Sequence, residues 1–189
     1  YGTCGWSNPA VLSINKSAAI DMDGAEGLHD LTSDRTANQY VGSTVRGATW
    51  NTALAYDMGL VYGDECLANG VSGMYGMTVN IHRSPFNGRC FEAYSEDPLL
   101  SGKIAAEEIR GLQEKGIAVY LKHMVVNDQE SNRSGVHTWT NEQALRQIYL
   151  KPFEIVTKEA DCTGYMTSYN YLGTGWTGAS KAMITDVAR

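Results

Sequence analysis

The run Ile117-Ala118-Val119-Tyr120-Leu121 is almost wholly apolar, and Lys122-His123 follow it without a break. Five residues is strand length, and a strand that is apolar on both faces is buried on both. Such strands lie parallel to their neighbours under a cover of helices, because a parallel crossover is long enough to hold one. The flanking sequence supplies those helices. Asp97-Pro98 starts one, with Pro at the first helical position. Leu100, Ile104, Ala105, Ile109 and Leu112 form its inner stripe, and Gly116 ends it. Thr49 is read as the cap of an earlier helix with Trp50, Leu54, Met58 and Val61 on its apolar face, which assigns Trp50 to the core.

The alternation continues on both sides. Gly70 to Gly76 punctuates the chain, and Met77 to Ile81 reads as a short strand. Thr140 and Gln143 read as a capping box ahead of Leu145, Ile148 and Tyr149. Pro152 should break or kink that helix before a further turn through Ile155 and Val156. Tyr165 to Tyr169 reads as another strand, and Met183 to Ala188 opens one more helix. An open doubly wound sheet and a barrel both fit this pattern. No Gly-x-Gly-x-x-Gly follows a predicted strand, which weakens the dinucleotide-binding version. Each strand hands over to a polar cluster, Asn80-Ile81-His82-Arg83, Lys122-His123 and Tyr169-Asn170. A barrel carries its chemistry at that end. The expected fold is therefore α/β, a partial (β/α)8 TIM-type barrel with parallel strands and outer helices.

Composition narrows the partners. The 189 residues carry a net charge of −6 with no basic stripe, so nucleic acid is not an expected partner. No apolar run reaches the ~18–20 residues of a membrane helix. Tyr1-Gly2-Thr3-Cys4 has neither an initiator Met nor a signal pattern, so a front-trimmed chain is expected whose start carries no address. Cys4, Cys66, Cys90 and Cys162 have no knuckle or redox-pair spacing and are expected as free, mostly buried thiols in a reducing compartment, the cytoplasm. His29, His82, His123 and His137 are scattered, so neither a metal nor another cofactor is expected. No Gly-x-Ser-x-Gly elbow is present.

Burying Lys122 and His123 is costly unless structural carboxylates pair with them or a ligand uses them, and both readings stay open. Arg89 and Glu92 fall within one turn or loop; an arginine fork can hold two adjacent hydroxyls, and a surface pair is the commoner alternative. Asn127 to Arg133 is a dense hydrogen-bonding loop, and Asp21-Met22-Asp23-Gly24 is either a turn or a carboxylate delivered by a tight bend. Trp139 and Trp176 lie in loops and are candidates for stacking on a sugar. These residues describe a polar pocket for a neutral, hydroxyl-rich ligand. They do not specify a reaction.

Several segments together resemble glycoside hydrolase family 3, the β-glucosidase and β-xylosidase type. They are Asn80-Ile81-His82-Arg83-Ser84-Pro85, Gly88-Arg89-Cys90-Phe91-Glu92, Tyr94-Ser95-Glu96-Asp97-Pro98, Lys122-His123 and Asn127 to Glu130 with Asn132-Arg133. Leu145-Arg146 through Tyr149 to Glu154, Met166-Thr167-Ser168-Tyr169-Asn170 and Thr185-Asp186-Val187 complete the series. The resemblance covers essentially the whole chain. It implies an incomplete N-terminal catalytic barrel domain over residues 1–189 and a retaining β-glycosidase acting on terminal β-linked glucose or similar sugars.

The resemblance further implies that Asp23, Arg89, Lys122, His123 and Arg133 hold the sugar being cleaved, with Met166 lining the floor and Tyr169 near the nucleophile. The family nucleophile is an Asp in a Ser-Asp-Trp segment on the next strand, expected roughly a dozen residues beyond Arg189. The general acid is a Glu usually supplied by a later domain. Neither is identifiable, so no catalytic residue is assigned, and the 189-residue chain alone is expected to be inactive. The expected partner is a β-linked glycoside or oligosaccharide. Open strand edges also predict association with the rest of the same polypeptide or with another copy. The alternative is a non-hydrolytic or degenerate sugar-binding domain.

Departures from the family pattern are specific. Ala25 stands where Pro is usual, which predicts a looser Asp23 loop. Met77 replaces a common Pro and Ala93 a common Tyr, and Gly173 to Ser180 is unlike the usual Asn-Gly loop. Met124-Val125-Val126-Asn127 stands where the N-acetylglucosaminidase branch has a glycine-rich stretch with a catalytic His, which favours the glucosidase type.

Overall fold

The computed structural model describes residues 5–29 and 37–188, so Cys4 lies outside the described residues. The chain runs through β1 (Gly5–Asn8), β2 (Ala19–Asp23), α1 (Ser43–Ala48), α2 (Thr52–Ala68), β3 (Gly73–Tyr75), α3 (Pro98–Glu114) and β4 (Ala118–Met124). It continues through β5 (His137–Thr138), α4 (Glu142–Ala144), a π-helical turn at Leu145–Tyr149, α5 (Lys151–Ala160), β6 (Gly164–Thr167), β7 (Tyr171–Leu172) and β8 (Gly175–Trp176). A second π-helical turn follows at Ala182–Val187.

The main sheet has the order β1-β2-β3-β4-β6. Strand β1 is antiparallel to β2; β2, β3, β4 and β6 are all parallel. Each parallel pair is separated in sequence by helix, which is the opening order of a (β/α)8 barrel. Short strands β5, β7 and β8 form a second sheet. Among the described residues no helix is long and apolar enough to cross a membrane.

Helix α3 organises the outer layer. Asp97 caps it, its carboxylate accepting from Leu99 N at 2.7 Å and Leu100 N at 3.2 Å, and Gly116 leaves it at φ +81°. Its inner stripe is buried as the periodicity predicts, with Leu100 half-buried. On one side it packs on α2 through glycines. A Cβ on Gly111 would stand 2.4 Å from Tyr56 O and 2.7 Å from Leu60 N. On the other side Gly102 lies against Ile155 of α5, so glycine spacing sets both helix contacts.

That contact corrects the reading of α2. Asn51 rather than Thr49 is the cap, its Oδ1 accepting from Leu54 N at 3.1 Å. Trp50 precedes the helix at φ +56° and is 73% exposed, so it is not core; Leu54 and Val61 also face solvent. The buried stripe is Ala55, Gly59, Tyr62, Gly63 and Cys66. Glycines let the two backbones approach but carry no hydrophobic signal, so apolar spacing selected the wrong face.

Three boundaries also move. Strand β3 ends at Tyr75, and 77–81 are buried but join β4 only locally, through Lys122 N to Met77 O and Val79 N to Lys122 O, both 3.0 Å. Asn141, not Thr140, caps the helix after β5, accepting from Ala144 N at 2.7 Å. Strand β6 stops at Thr167, leaving Ser168 and Tyr169 outside it. Pro152 behaves as predicted: it sits in the first turn of α5, just past the π-helical turn.

One buried ionic network has no counterpart in the sequence reading. Arg46 Nε meets Glu108 Oε2 at 3.2 Å, and Tyr94 donates to the same oxygen at 2.8 Å. Arg46 Nη2 also donates to Ala25 O at 2.8 Å. Burial raises the Glu108 carboxyl above its ordinary range, and Arg46 and Tyr94 pull it back.

Candidate sugar-binding site

The parallel register sets the site. Asp23 ends β2, and Lys122 lies near the end of β4 opposite Met166 of β6. Lys122 Nζ donates to Asp23 Oδ1 at 2.7 Å and lies 3.7 Å from Glu92 Oε2. Its side chain is only 3% exposed, while that of Asp23 is 44% exposed. A buried ammonium held by one buried and one open carboxylate is satisfied without a ligand, yet leaves Asp23 oxygen free to turn outward.

The ion pairs run on as an alternating chain. Glu92 bonds Arg89 Nε and accepts from Thr78 Oγ1 at 2.9 Å. Arg89 Nη1 lies 3.6 Å from Glu130 Oε1, and Arg133 Nη1 lies 2.9 Å from Glu130 Oε2. Asn127 Nδ2 steadies Glu130 at 3.0 Å. Arg133 then rests over the Tyr169 ring, 4.7 Å from its centroid. Asp23, Lys122, Glu92, Arg89, Glu130, Arg133 and Tyr169 are thus linked in one network. Of the open readings of Lys122 and Arg89, the structure bears out the carboxylate pairing: Lys122 meets Asp23 and Glu92, and Arg89 meets Glu92 and Glu130.

His123 sits inside this arc and is 4% exposed. Asn80, equally buried, brackets it: Asn80 Nδ2 donates to His123 O at 3.0 Å, and Asn80 Oδ1 accepts from His123 N at 2.9 Å. His123 Nδ1 lies 3.2 Å from the same Oδ1. Burial, then the charges of Arg89, Lys122 and Arg133, hold the imidazole pKa well below its usual value, so the ring is neutral at physiological pH. Thr78, Asn80, Asn87, Arg89, Glu92, Ala93, His123 and Asn127 line a small cleft.

The loop after Asp23 is not loose despite Ala25. Tyr62 donates to Gly24 O and accepts from Gly27 N at 3.1 Å, and Arg46 holds Ala25 O. Two side chains from α1 and α2 supply the restraint that a proline ring would.

Of the seven residues implied by the resemblance, Asp23, Lys122, His123 and Met166 lie toward strand ends, and Arg89, Arg133 and Tyr169 lie in the segments that follow β3, β4 and β6. Asp23, Arg89, Lys122, Arg133 and Tyr169 are linked directly, His123 by its surrounding charges and Met166 by register. Trp139 is 72% exposed beside the Gly173 turn, and Trp176 donates to Ser168 O at 3.1 Å; neither touches the network. A cavity of about 450 Å³ lies elsewhere, between α5 and the end of the chain, lined by Leu150, Phe153, Tyr165 and Val187 among others, and it contains none of the seven. Residues that the sequence reading left in the background are Thr78, Asn80, Glu92 and Glu130. Asn80, Glu92 and Glu130 had a local signal, as acids and an amide inside the motifs, whereas Thr78 had none; their partners come from other segments of the chain. Cys66, Cys90 and Cys162 are free, and Cys66 and Cys162 are buried. No group of three or more acidic, His or Cys side chains among the described residues is arranged to hold a metal ion.

Known proteins share this fold. A family model described as the glycosyl hydrolase family 3 N terminal domain matches residues 13–189. A probable beta-glucosidase I from Aspergillus clavatus is 37% identical over 190 residues, covering 100% of this chain and 23% of the relative. The chain therefore spans about a quarter of the length of the curated relatives it matches. Among solved structures, beta-glucosidase 3B from Thermotoga neapolitana in complex with glucose superposes with a TM-score of 0.90 at 34% identity, over 97% of this chain and 26% of that one. A beta-glucosidase from Bifidobacterium adolescentis does so with a TM-score of 0.92 at 34% identity, over 100% and 27%. Through this family match, and the fold and homologues that agree with it, the chain belongs to glycosyl hydrolase family 3.

Proposed function

We propose that this chain is the sugar-holding part of a retaining β-glucosidase, with Asp23, Arg89, Lys122, His123, Arg133, Met166 and Tyr169 lining the subsite of the sugar that is cleaved. The observation that carries the reading is the alternating network from Asp23 to Tyr169 around a neutral histidine. A neutral pyranose offers hydroxyls that both donate and accept. Open carboxylate oxygen on Asp23 accepts from them, and the arginine forks donate to them. Fixed donors and acceptors of this kind position the ring and strengthen as the oxocarbenium-like transition state forms.

The reaction itself needs two carboxyl groups about 5–5.5 Å apart across the scissile bond. Glu92 and Glu130 are committed to arginines, so we place the nucleophile and the general acid in other parts of the full-length polypeptide and expect the 189-residue chain alone to be inactive. Glucose bound in the Thermotoga structure supports a gluco-configured substrate. Free thiols at Cys66, Cys90 and Cys162 support a reducing compartment, the cytoplasm.

Hydrolysis of aryl β-glucosides by the full-length protein tests the proposal. Turnover is expected, with Asp23→Ala and Lys122→Met each lowering kcat/KM by at least a hundredfold. A full-length protein that binds glucose but turns over no aryl β-glycoside would favour the non-hydrolytic reading instead.

A further inference from the structure

We propose that Asn80 fixes the hydrogen-bond polarity of the His123 ring, holding its Nδ1–H and leaving Nε2 as an acceptor for a donating sugar hydroxyl. The inference rests on the sugar-holding reading of the site and adds a positioning residue that the network alone does not name.

The argument starts from the backbone. His123 N–H can only donate and His123 C=O can only accept. The side-chain atom of Asn80 that meets the N–H at 2.9 Å is therefore oxygen, and the atom that meets the carbonyl at 3.0 Å is nitrogen. Amide orientation is normally ambiguous between oxygen and nitrogen; here two backbone groups decide it. The oxygen so placed also faces His123 Nδ1 at 3.2 Å, and two acceptors cannot share that contact, so Nδ1 carries the proton.

The state of Nε2 follows from charge. Arg89 from the loop before α3, Lys122 from β4 and Arg133 from the loop after β4 all surround the ring, and their partners Glu92 and Glu130 are already tied to them. A second proton on a buried ring among three cations is disfavoured, so Nε2 keeps its lone pair. Nε2 has no hydrogen bond among the described residues. A site rich in cationic donors thus holds a buried neutral acceptor in this ring, beside the unpartnered amide oxygens of Asn87 and Asn127, and the hydroxyl that meets it must donate.

Two measurements on the full-length protein test this. Histidine-selective ¹⁵N NMR, with the His123 resonances assigned by their loss in His123→Gln, is expected to show a protonated Nδ1 and a bare Nε2 at pH 7. The Asn80→Ala protein should show a tautomer mixture. An Nε2–H tautomer or a doubly protonated ring in the parent protein would overturn the proposal, whatever the substrate.

Competitive inhibition by monodeoxy and monodeoxyfluoro glucoses supplies the second readout. The hydroxyl facing His123 is the one whose removal no longer weakens binding in His123→Ala. At that position the fluoro sugar, which cannot donate, should bind as weakly as the deoxy sugar, about tenfold worse than glucose. A fluoro sugar that binds like glucose there would show Nε2 donating and overturn the assignment. If the NMR result holds but no glucose binds, the sugar reading fails and the hydroxyl partner with it, while the role of Asn80 toward the ring stands.

Discussion

Replacing Glu130 by Gln is the sharpest test of the ionic network, because it keeps the shape and removes one charge that two arginines share. Glu130 lies 2.9 Å from Arg133 and 3.6 Å from Arg89. At an effective dielectric of about 20 each pair has a gross attraction of ~5 kcal/mol, an upper bound that desolvation of both partners largely offsets. The net value of a hydrogen bond to a charged group is about 1.5–3 kcal/mol. Glutamine keeps one acceptor for one arginine but turns an NH2 toward the other. One arm is therefore repelled and its arginine loses its position. We expect kcat/KM on an aryl β-glucoside to fall by about 30- to 150-fold, which is ~2–3 kcal/mol at 1.36 kcal/mol per tenfold. The melting temperature should move little, because Glu130 and Arg133 are both partly solvent-exposed and such pairs add less than about 1 kcal/mol to stability. Glu130→Asp, which keeps the charge but shortens the arm, should recover part of the loss. A change of less than threefold in Glu130→Gln, with the protein folded, would refute the claim that this carboxylate positions the two arginines.

Other outcomes follow from single features. Burial, only partly offset by Arg83, pushes the Asp128 carboxyl up to about 6 from 3.8. Its protonated form is therefore favoured by folding: the contribution is full below pH 4 and is lost as pH rises through 6, roughly 3 kcal/mol in all. Asp128→Asn should flatten the fall in thermal stability between pH 4 and 7; an unchanged pH profile counts against it. Gly111→Ala should destabilise by about 3 kcal/mol or more, since the new methyl meets backbone atoms at 2.4 and 2.7 Å that cannot give way, read as a lowered melting temperature. Asp97→Ala removes two cap hydrogen bonds from α3 and should cost about 1 kcal/mol in a denaturant titration, whereas Asp97→Asn should cost less.

What could be read from the chain itself was whatever local chemistry repeats. The apolar run before Lys122 reads as a twice-covered strand, and Asp97-Pro98 reads as a helix start, because capping and burial leave their mark within a few residues. The ordered motifs carried the family and the seven positions proposed to hold the sugar. The wrong face of α2 shows the limit. Trp50, Leu54 and Val61 have the right spacing, but the contact with α3 is made at Gly59 and Gly111, where closeness of backbones replaces side-chain area. No hydrophobic pattern in one segment reports what the facing helix lacks.

The site divides the same way. That Lys122 and His123 extend a buried apolar run, and so need partners, is determined by the sequence and the cost of burying charge; that they are themselves part of β4, which runs on to Met124, is a boundary the apolar run alone did not give. Which partners they find is decided by tertiary structure. Asp23, Glu92 and Asn80 lie 99, 30 and 43 positions before the residue each meets, and only the parallel register of β2, β3 and β4 brings them together. Hydrogen-bond polarity is the furthest from the sequence, since it depends on which atom of an amide faces which atom of a backbone, and no residue type encodes that alone.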